Sequence, residues 1–161
     1  MSRSKKDLQS RVLARNRQAS HYYTFLEQFE VGIELKGTEV KSIREGKASL
    51  RESYAAIKNE QAWLYNCHVT PYPPAGKLNH EALRVKRLLM HKREILRLIG
   101  HTREKGQTLI PLQLYLKKNR IKCELALAKG KKVWDHRETL RRKTMRREAE
   151  EAVRDHRRWQ K

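Results

Sequence analysis

Apolar residues occupy every second position along two segments of the chain, a period that is typical of β-strands. In residues 29–36 the apolar positions are Phe29, Val31, Ile33 and Leu35. In residues 120–127 they are Ile121, Cys123, Leu125 and Leu127. Because successive side chains of a strand point to opposite faces of a sheet, each segment is predicted to be a half-buried strand. The second strand would place Cys123 inside and Lys122 outside.

Shorter patterns predict further strands joined by tight turns. Residues 108–116 precede the second alternating segment, and Lys117, Lys118 and Asn119 between them are typical of a hairpin turn. Pro111 lacks a backbone N–H and therefore indicates an edge position or a bulge. Residues 54–57 and 62–69 form a second candidate hairpin, and residues 84–90 are one more candidate strand.

Two short helices complete the predicted elements. Thr38 is a candidate cap for a short helix that passes through Val40 and Ile43 and stops near Gly46. A second helix is predicted from His91 to Glu104, closed by Gly106. Several short strands with few helices favour a mainly β fold, an OB-like antiparallel β-barrel, because closure removes exposed sheet edges. Barrels of this type bind oligonucleotides on one face.

The charge of the chain points to a polyanionic partner. The 161 residues include 38 Lys and Arg against 18 Asp and Glu, a net charge of +20. Nucleic acid is favoured over an anionic membrane, because the basic stretches mostly lack a bulky apolar face. No apolar run approaches the length of a membrane span, so a soluble, cytosolic protein is expected. The length allows one domain with an extension.

Both ends of the chain differ in amino-acid composition from the middle. Residues 1–19 are predicted to be a basic N-terminal arm, frayed or carrying a short helix, and residues 20–132 the RNA-binding barrel. Residues 133–161 form a basic tail with only seven apolar residues from Trp134 onward, too few for a core. Met145, Ala149 and Ala152 or Val153 fall on one helical stripe, which predicts a tail that is disordered alone and helical against a partner. An unstructured solubilising tail is the alternative.

No catalytic or metal-binding pattern is found in the sequence. Phosphate-binding loops and zinc-protease motifs are missing, the seven histidines are scattered, and Cys67 and Cys123 are expected to be reduced, buried thiols. Residues 79–81, Asn-His-Glu, are a weak candidate for a nuclease base, although hydrogen bonding within a loop is the simpler interpretation. We therefore expect a protein that is not an enzyme, with no cofactor, metal or small-molecule substrate.

The sequence contains three characteristic motifs: residues 37–46 (GTEVKSIREG), residues 87–91 (RLLMH) and residues 129–132 (KGKK) followed by Asp135 and Arg137. Taken in order, these motifs resemble the SmpB family, the SsrA-binding (tmRNA-binding) proteins of bacteria. Smaller matches are Asn16-Arg17 with Ala19, His21 and Tyr23, then Ser53-Tyr54, Pro71-Tyr72, Asn79-His80 and residues 106–112. The likeness extends from Asn16 to about Arg137.

This resemblance implies a function in trans-translation. Members of the family have an OB-like barrel and a basic C-terminal tail. They bind the tRNA-like domain of tmRNA, accompany alanyl-tmRNA and elongation factor Tu to stalled ribosomes, and occupy the decoding centre. The tail then folds along the empty mRNA channel. The resemblance thus names tmRNA, ribosomal RNA and elongation factor Tu as partners in the cytoplasm.

The resemblance also implies a tmRNA-contacting surface that includes Glu30, Leu89 and Lys122. Lys122 is a candidate phosphate contact, and Leu89 would offer an apolar platform for a base, although barrel core is its rival interpretation. Glu30 would have to accept hydrogen bonds from a base edge, a 2′-hydroxyl or a neighbouring cation. His21 and Tyr23 could add stacking near the same surface, with core packing as the alternative.

A second group of residues is assigned to the ribosome by the same resemblance. Lys129, Lys131 and Lys132 would bind phosphates around Gly130, and Trp134 would stack on a decoding-centre base. Asp135, His136 and Arg137 follow, where His136 replaces the lysine of the family. The loop Pro73–Leu78 departs from the family pattern as well. Without the resemblance, a ribosomal protein or a general RNA-binding OB module remains the alternative function.

Overall fold

A computed structural model describes residues 11–103 and 106–159, with the backbone alone for residues 133–136, 139 and 155–159. The chain divides after Gly130 into two units. The elements of the first unit are β1 Arg11–Arg15, α1 Ala19–Tyr22, β2 Tyr23–Ile33, α2 Gly37–Arg44, β3 Ala48–Ser49, β4 Tyr54–Lys58, β5 Gln61–Tyr65, β6 His68–Val69, a 3₁₀ segment Pro73–Leu78, β7 Lys86–Leu89, α3 Lys92–Thr102, β8 Gln107–Lys117 and β9 Arg120–Gly130. The second unit contains α4, Val133–Trp159.

Six strands close into an antiparallel barrel. Their order is β8-β4-β5-β7-β2-β9, and β9 pairs with β8 again to complete the ring. β1 adds to β8 outside this ring, while β3 and β6 form a separate two-stranded sheet. The predicted mainly β, OB-like barrel with a few helices is confirmed.

The barrel core follows the alternation of the sequence. Val31, Cys123, Leu125 and Leu114 are fully buried, and Phe29 and Ile33 nearly so. β2 nevertheless begins at Tyr23, well before the alternating segment, because it pairs with β9 from Tyr23 to Gly32, with a register shift between Phe25 and Glu27. It ends at Ile33, so Leu35 lies beyond the strand rather than inside it.

Both predicted hairpins form, and both use two-residue turns. The predicted strand over residues 62–69 is wrong in its extent, because β5 ends at Tyr65 and His68–Val69 is β6 of the separate two-stranded sheet. Asn59 and Glu60 join β4 to β5, while Lys118 and Asn119 join β8 to β9, and all four have positive φ. Turns with two positive φ values match the right-handed twist of the flanking strands. The register of β8 against β9 shifts between Pro111 and Gln113, so Pro111 marks a bulge inside the sheet.

The expectation of a frayed arm over residues 1–19 is wrong for the described part, residues 11–19. Residues 11–15 form β1, which pairs with β8, and Ala14 is buried. The backbone N–H of Asn16 continues this contact by donating to Leu112 O at 2.8 Å. The pattern does not predict this strand, because three of the residues from 11 to 17 are arginines and Ala14 is the one buried residue of β1. Residues 1–10 of the arm lie outside the described residues.

The predicted cap of α2 is wrong, whereas the predicted helix is confirmed. The cap residue is Lys36, whose backbone N–H donates to Glu39 Oε2 at 2.7 Å. Thr38 lies inside the helix, and its hydroxyl instead contacts His80 Nδ1 at 2.8 Å. Gly46 follows the helix with φ of +76°. For α3, the predicted end at Glu104 lies outside the described residues, and the helix itself runs from Lys92 to Thr102.

The tail is helical from Val133 to Trp159. Pairs of side chains four residues apart form ion pairs along it: Glu138–Arg142, Arg146–Glu150 and Arg147–Glu151. Its large apolar residues Leu140, Met145 and Val153 are each more than half exposed. That the helix forms only against a partner stays a prediction. Among the described residues, no helix is long and apolar enough to cross a membrane.

Candidate nucleic-acid interface

Four strands place four residues side by side on the outer face of the barrel. Leu89 of β7 lies opposite Gly32 of β2. Gly32 lies opposite Lys122 of β9, which in turn lies opposite Tyr115 of β8. The chain neighbours of these residues point inward and are buried: Leu88, Val31, Cys123 and Leu114.

An open groove of about 730 Å³ is lined by three residues of this row, Leu89, Gly32 and Lys122, and we call it the Leu89 groove. Its lining residues are Glu30, Gly32, Asn59, Glu60, Gln61, Arg87, Leu88, Leu89, Met90, His91, Lys92, Glu94, Ile95 and Lys122. The structure therefore brings together Glu30, Leu89 and Lys122, which are distant in sequence. Leu89 is 50% exposed, so the interpretation of this residue as barrel core is wrong.

Gly32 lets Leu89 approach the surface of β2. A Cβ atom at position 32 would lie 3.0 Å from the Cβ of Leu89 and 3.4 Å from its Cδ1. The Leu89 side chain thus lies directly over the Gly32 backbone. This packing fixes an apolar surface at the centre of the groove, where a base can stack.

Glu30 is held in the groove by two short hydrogen bonds. Tyr115 Oη and Lys117 Nζ both donate to Glu30 Oε2 at 2.6 Å. The hydrogen bond from Lys117, followed by that from Tyr115, holds the pKa of Glu30 below its ordinary value. Burial and the same Glu30 hydrogen bond raise the pKa of Tyr115. Glu30 is therefore an ionised acceptor, and Tyr115 remains a protonated donor.

Cations line the groove beside this acceptor. Arg87 of β7 is exposed and lies opposite Trp63 of β5, while Lys92 begins α3 at the other side. A shallower depression of about 330 Å³ shares Gly32, Leu89 and Lys122 with the groove and continues to Arg44 and Arg120. Phosphate-binding cations beside an apolar platform and an acceptor form a combination that suits folded RNA.

His21 and Tyr23 do not lie at the Leu89 groove. Tyr23 begins β2 opposite Gly130, seven residues before Glu30, which corresponds to about 23 Å along a strand. Tyr23 packs on a second apolar cluster of Ala19, Ile110 and Ala128, so the core-packing alternative holds for it. His21 is exposed on α1, with its ring edge-on to Tyr22 at 4.8 Å.

The residues assigned to the ribosome follow one another from the end of β9 into α4. Lys129 and Gly130 are exposed and pair with Thr24 and Tyr23 of β2. Lys131 and Lys132 form the connection, and Arg137 is exposed on α4. Trp134, Asp135 and His136 lie in the first turns of α4, and their side chains are outside the described residues.

Hydrogen bonds of Asn79 and His80 hold residues 79–81 in a loop. Asn79 Oδ1 accepts from Tyr72 N at 2.9 Å, and Asn79 Nδ2 donates to Tyr72 O at 2.7 Å. His80 is buried, and its Nε2 donates to Val69 O at 3.0 Å while its Nδ1 accepts from the hydroxyl of Thr38. Both ring nitrogens are engaged, which supports the loop interpretation over a nuclease base.

A buried ion-pair cluster anchors the strand that carries Leu89. Arg84 donates to both carboxylate oxygens of Glu39, at 3.0 and 2.6 Å, and Lys86 Nζ lies 3.6 Å from Glu39 Oε1. Lys86 also donates to Cys67 O and Arg84 O at 3.0 and 2.9 Å. Because Glu39 belongs to α2 and Lys86 to β7, the cluster fixes the start of β7 against the helix.

The two thiols lie inside the barrel as predicted. Cys67 and Cys123 are free and fully buried. Burial raises the pKa of Cys67 to about 11 and raises that of Cys123 as well. No cluster of metal-ligating side chains occurs among the residues whose side chains the structure describes.

The profile of the SmpB protein family matches residues 13–155, which include the barrel and most of α4. The chain belongs to the SmpB family. The SsrA-binding protein of Carboxydothermus hydrogenoformans is 56% identical over 144 residues, 89% of this chain and 97% of that protein. The SsrA-binding protein of Pelotomaculum thermopropionicum is 53% identical over 145 residues, 90% and 95% of the two chains.

A solved structure shares the architecture of this SmpB family member. It is described as "tmRNA-SmpB: a journey to the center of the bacterial ribosome". The alignment has a TM-score of 0.63 and 42% sequence identity, and covers 74% of this chain and 84% of the matched chain. The family fold is thus present here.

Most residues in and around the groove could not be assigned from the sequence, and four of them matter for its chemistry. Gly32 and Arg87 were not assigned to the site, and neither were Tyr115 and Lys117. The register of the β8–β9 hairpin carries a usable signal for Tyr115, because a two-residue turn at Lys118–Asn119 places Tyr115 opposite Lys122. Gly32 and Arg87 depend on pairings between distant segments, which local patterns do not specify.

Proposed function

We propose that this chain is an SsrA-binding protein of trans-translation. It binds the tRNA-like domain of tmRNA and, with elongation factor Tu, brings it to stalled ribosomes in the cytoplasm. Its C-terminal tail then occupies the decoding centre and the empty mRNA channel. The protein positions RNA and catalyses no reaction.

The observation that carries this proposal is the convergence of Glu30, Leu89 and Lys122 in the Leu89 groove. The three residues come from β2, β7 and β9. Membership in the SmpB family supports tmRNA as the partner that they bind. The names of the relatives and the description of the solved complex support tmRNA and the ribosome as that partner.

The groove offers a distinct interaction to each part of an RNA loop. Lys122 and Arg87 attract phosphates, and this term weakens as salt rises because bound counterions are released. Leu89 offers an apolar contact to an unstacked base. Glu30 accepts a hydrogen bond and repels phosphate, so it selects for a sugar or a base edge at its position.

The tail takes the second part of the function. Lys129, Lys131 and Lys132 bind ribosomal RNA phosphates, with Gly130 between them. Trp134, Asp135, His136 and Arg137 then enter the decoding centre. Lys and Arg outnumber Asp and Glu in residues 133–161, and this excess of positive charge suits a channel whose walls carry RNA phosphates.

Capture of RNA by the full chain tests the proposal. The protein is immobilised, exposed to bacterial lysate, and the retained RNA is sequenced. One dominant species that contains a tRNA-like domain supports the proposal. A broad mixture of ribosomal and other RNAs would favour a general RNA-binding module instead.

A truncation separates the two parts of the function. The chain ended after Lys132 retains binding of the tRNA-like domain and loses tagging on stalled ribosomes. Circular dichroism confirms that the truncated barrel is folded. Loss of tmRNA binding in a folded truncation would show that the division between barrel and tail is wrong.

Incubation with RNA tests the absence of catalysis. Purified protein is mixed with tmRNA and Mg²⁺ for an extended time, and the RNA is expected to stay intact. Cleavage that disappears in His80→Ala would establish the nuclease function that the hydrogen bonds of His80 argue against.

A further inference from the structure

The carboxylate of Glu30 has two oxygens with different surroundings. Oε2 accepts from Tyr115 Oη and Lys117 Nζ, both at 2.6 Å, which occupies its two lone pairs. Oε1 has no hydrogen-bond partner among the described residues, although Glu30 lines the Leu89 groove. The side chain is thus held by one oxygen while the other remains able to accept.

The holding groups come from a strand that is not adjacent to β2. β9 lies between β2 and β8, so the two strands are about 10 Å apart. The Tyr115 side chain spans this distance and is only 8% exposed, which makes it a rigid donor. Lys117 approaches from the end of the same strand, and its side chain is 40% exposed.

We propose that Tyr115 and Lys117 are positioning residues for RNA binding, which fix Glu30 Oε2 so that Oε1 is presented as a single acceptor to an O–H or N–H donor of the RNA. This inference rests on the proposed function and deepens it. The donor is a ribose 2′-hydroxyl or a base edge, because phosphate oxygens carry no proton at neutral pH.

Preorganisation explains why two holding groups are useful. A glutamate side chain has three rotatable bonds, and immobilising it on binding costs conformational entropy. Tyr115 and Lys117 remove most of this freedom before the RNA arrives. Lys117 also neutralises a negative charge that would otherwise repel the neighbouring phosphates.

Affinity for the tRNA-like domain of tmRNA, measured in two backgrounds, tests the role of Tyr115. Tyr115→Phe is expected to weaken binding about fivefold in the wild-type chain, the equivalent of one hydrogen bond. In a Glu30→Ala background the same substitution has no further effect, because Tyr115 acts only through Glu30. An unchanged affinity in the first background, or an equal loss in the second, overturns the positioning role.

Lys117→Met is the second variant. The Lys117 side chain is 40% exposed, so its replacement should leave the fold intact, and this variant tests the proposal even if Tyr115→Phe fails to fold. Its loss of affinity should also disappear in the Glu30→Ala background, with an unchanged dependence of affinity on salt. The opposite result is a loss that persists in the Glu30→Ala background, together with a slope of log affinity against log salt concentration that is smaller by about one. That result would make Lys117 a direct phosphate contact and overturn its positioning role.

Modified RNAs distinguish the two sources of the donor. Single 2′-deoxy nucleotides, and single bases that lack one amino or imino proton, are placed in the loops of the tRNA-like domain. One such change should weaken binding to the wild-type chain but not to Glu30→Ala. If every harmful change is equally harmful to both proteins, Glu30 accepts from no RNA group and the inference fails.

A control separates this failure from failure of the proposed function. Lys122→Glu weakens binding if the Leu89 groove is the RNA site, whatever the role of Tyr115. Weaker binding by Lys122→Glu together with wild-type binding by Tyr115→Phe rejects only the positioning role. Wild-type binding by both Lys122→Glu and Glu30→Ala rejects the groove as the site.

Discussion

Gly32 and Leu89 lie opposite each other across β2 and β7, so close that a Cβ at position 32 would stand 3.0 Å from the Cβ of Leu89. A Cβ atom is fixed to its backbone and cannot rotate away, so one strand has to shift. Gly32→Ala is therefore expected to displace Leu89 and destabilise the barrel by about 1 kcal/mol. Binding of the tRNA-like domain should weaken as well, as measured by filter binding.

Gly100→Ala is the matched control for this substitution. Gly100 lies in α3, and an added Cβ there has no neighbour within 4 Å. Alanine in a helix interior is expected to raise stability by about 0.5–1 kcal/mol, with RNA affinity unchanged. Equal affinity of the Gly32→Ala and wild-type chains would show that the position of Leu89 is unimportant for binding.

The barrel could be predicted because its strands are encoded locally. β9 displays alternation over its central part, and the turn at Lys118–Asn119 contains Asn119, a residue type that adopts positive φ readily. β1 could not be predicted, because its one buried residue is Ala14 and its partner β8 is about one hundred residues away. The start of β2 was missed for a similar reason, since Tyr23 is specified by pairing with Gly130.

The candidate site was predictable only through the resemblance. Alternation placed Lys122 on an outer face, but no local pattern joins it to Leu89 or Glu30. For Leu89 the local pattern favoured the core, and the structure exposes it because β7 alternates Leu88 inward and Leu89 outward. Tyr115 and Lys117 were missed since their contact with Glu30 crosses an intervening strand.

Reversal of the charge at Lys122 should affect RNA binding more than reversal elsewhere. Lys122 lies in both the Leu89 groove and the adjoining depression, close to Glu30. Lys122→Glu removes a phosphate contact and introduces repulsion, so affinity is expected to fall at least about tenfold. The slope of log affinity against log salt concentration is expected to decrease by about one. Electrophoretic mobility shifts at several salt concentrations measure both.

Lys77→Glu is the control for Lys122→Glu, because it makes the same change of net charge on an exposed residue outside the groove. Only a small loss of affinity is expected from it. Similar losses in the two variants would mean that net charge alone, rather than the groove, determines binding.

Removal of the buried Lys86 ammonium should destabilise the barrel strongly. Lys86 is fully buried, lies 3.6 Å from Glu39 and donates to two carbonyl oxygens. Lys86→Met leaves these acceptors without a donor, with an expected loss of about 3 kcal/mol in the free energy of unfolding. Lys92→Met is the control, because it removes only the exposed ion pair with Glu60. Its free energy of unfolding should fall by less than about 1 kcal/mol. Urea unfolding compares the two, and equal losses would contradict the structural role of the cluster.

Glu39 should make stability depend on pH in the acid range. Burial acts to raise the pKa of Glu39, but hydrogen bonds from Arg84 and from the Lys36 backbone, together with the Lys86 charge, hold it below its ordinary value of 4.5. A folded-state pKa below the unfolded one stabilises the protein above pH 4.5, and this contribution is lost as the pH falls further. Urea unfolding at a series of pH values should therefore show an advantage of wild type over Glu39→Gln that shrinks below pH 4.5. An advantage that is constant with pH would contradict the assigned pKa direction.

The helical form of the tail can be tested without shortening the chain. Ala149 lies within α4 and is exposed, four residues after Met145. Proline at this position removes a backbone N–H and clashes with the carbonyl of Met145, at a cost of about 3 kcal/mol to the helix. Ala149→Pro should therefore abolish most tagging on stalled ribosomes, while Ala149→Ser, which keeps the N–H, should retain it. Both variants should bind the tRNA-like domain as the wild type does, because the Leu89 groove is formed by the barrel. Normal tagging by Ala149→Pro would mean that the tail acts through its charge alone and needs no continuous helix.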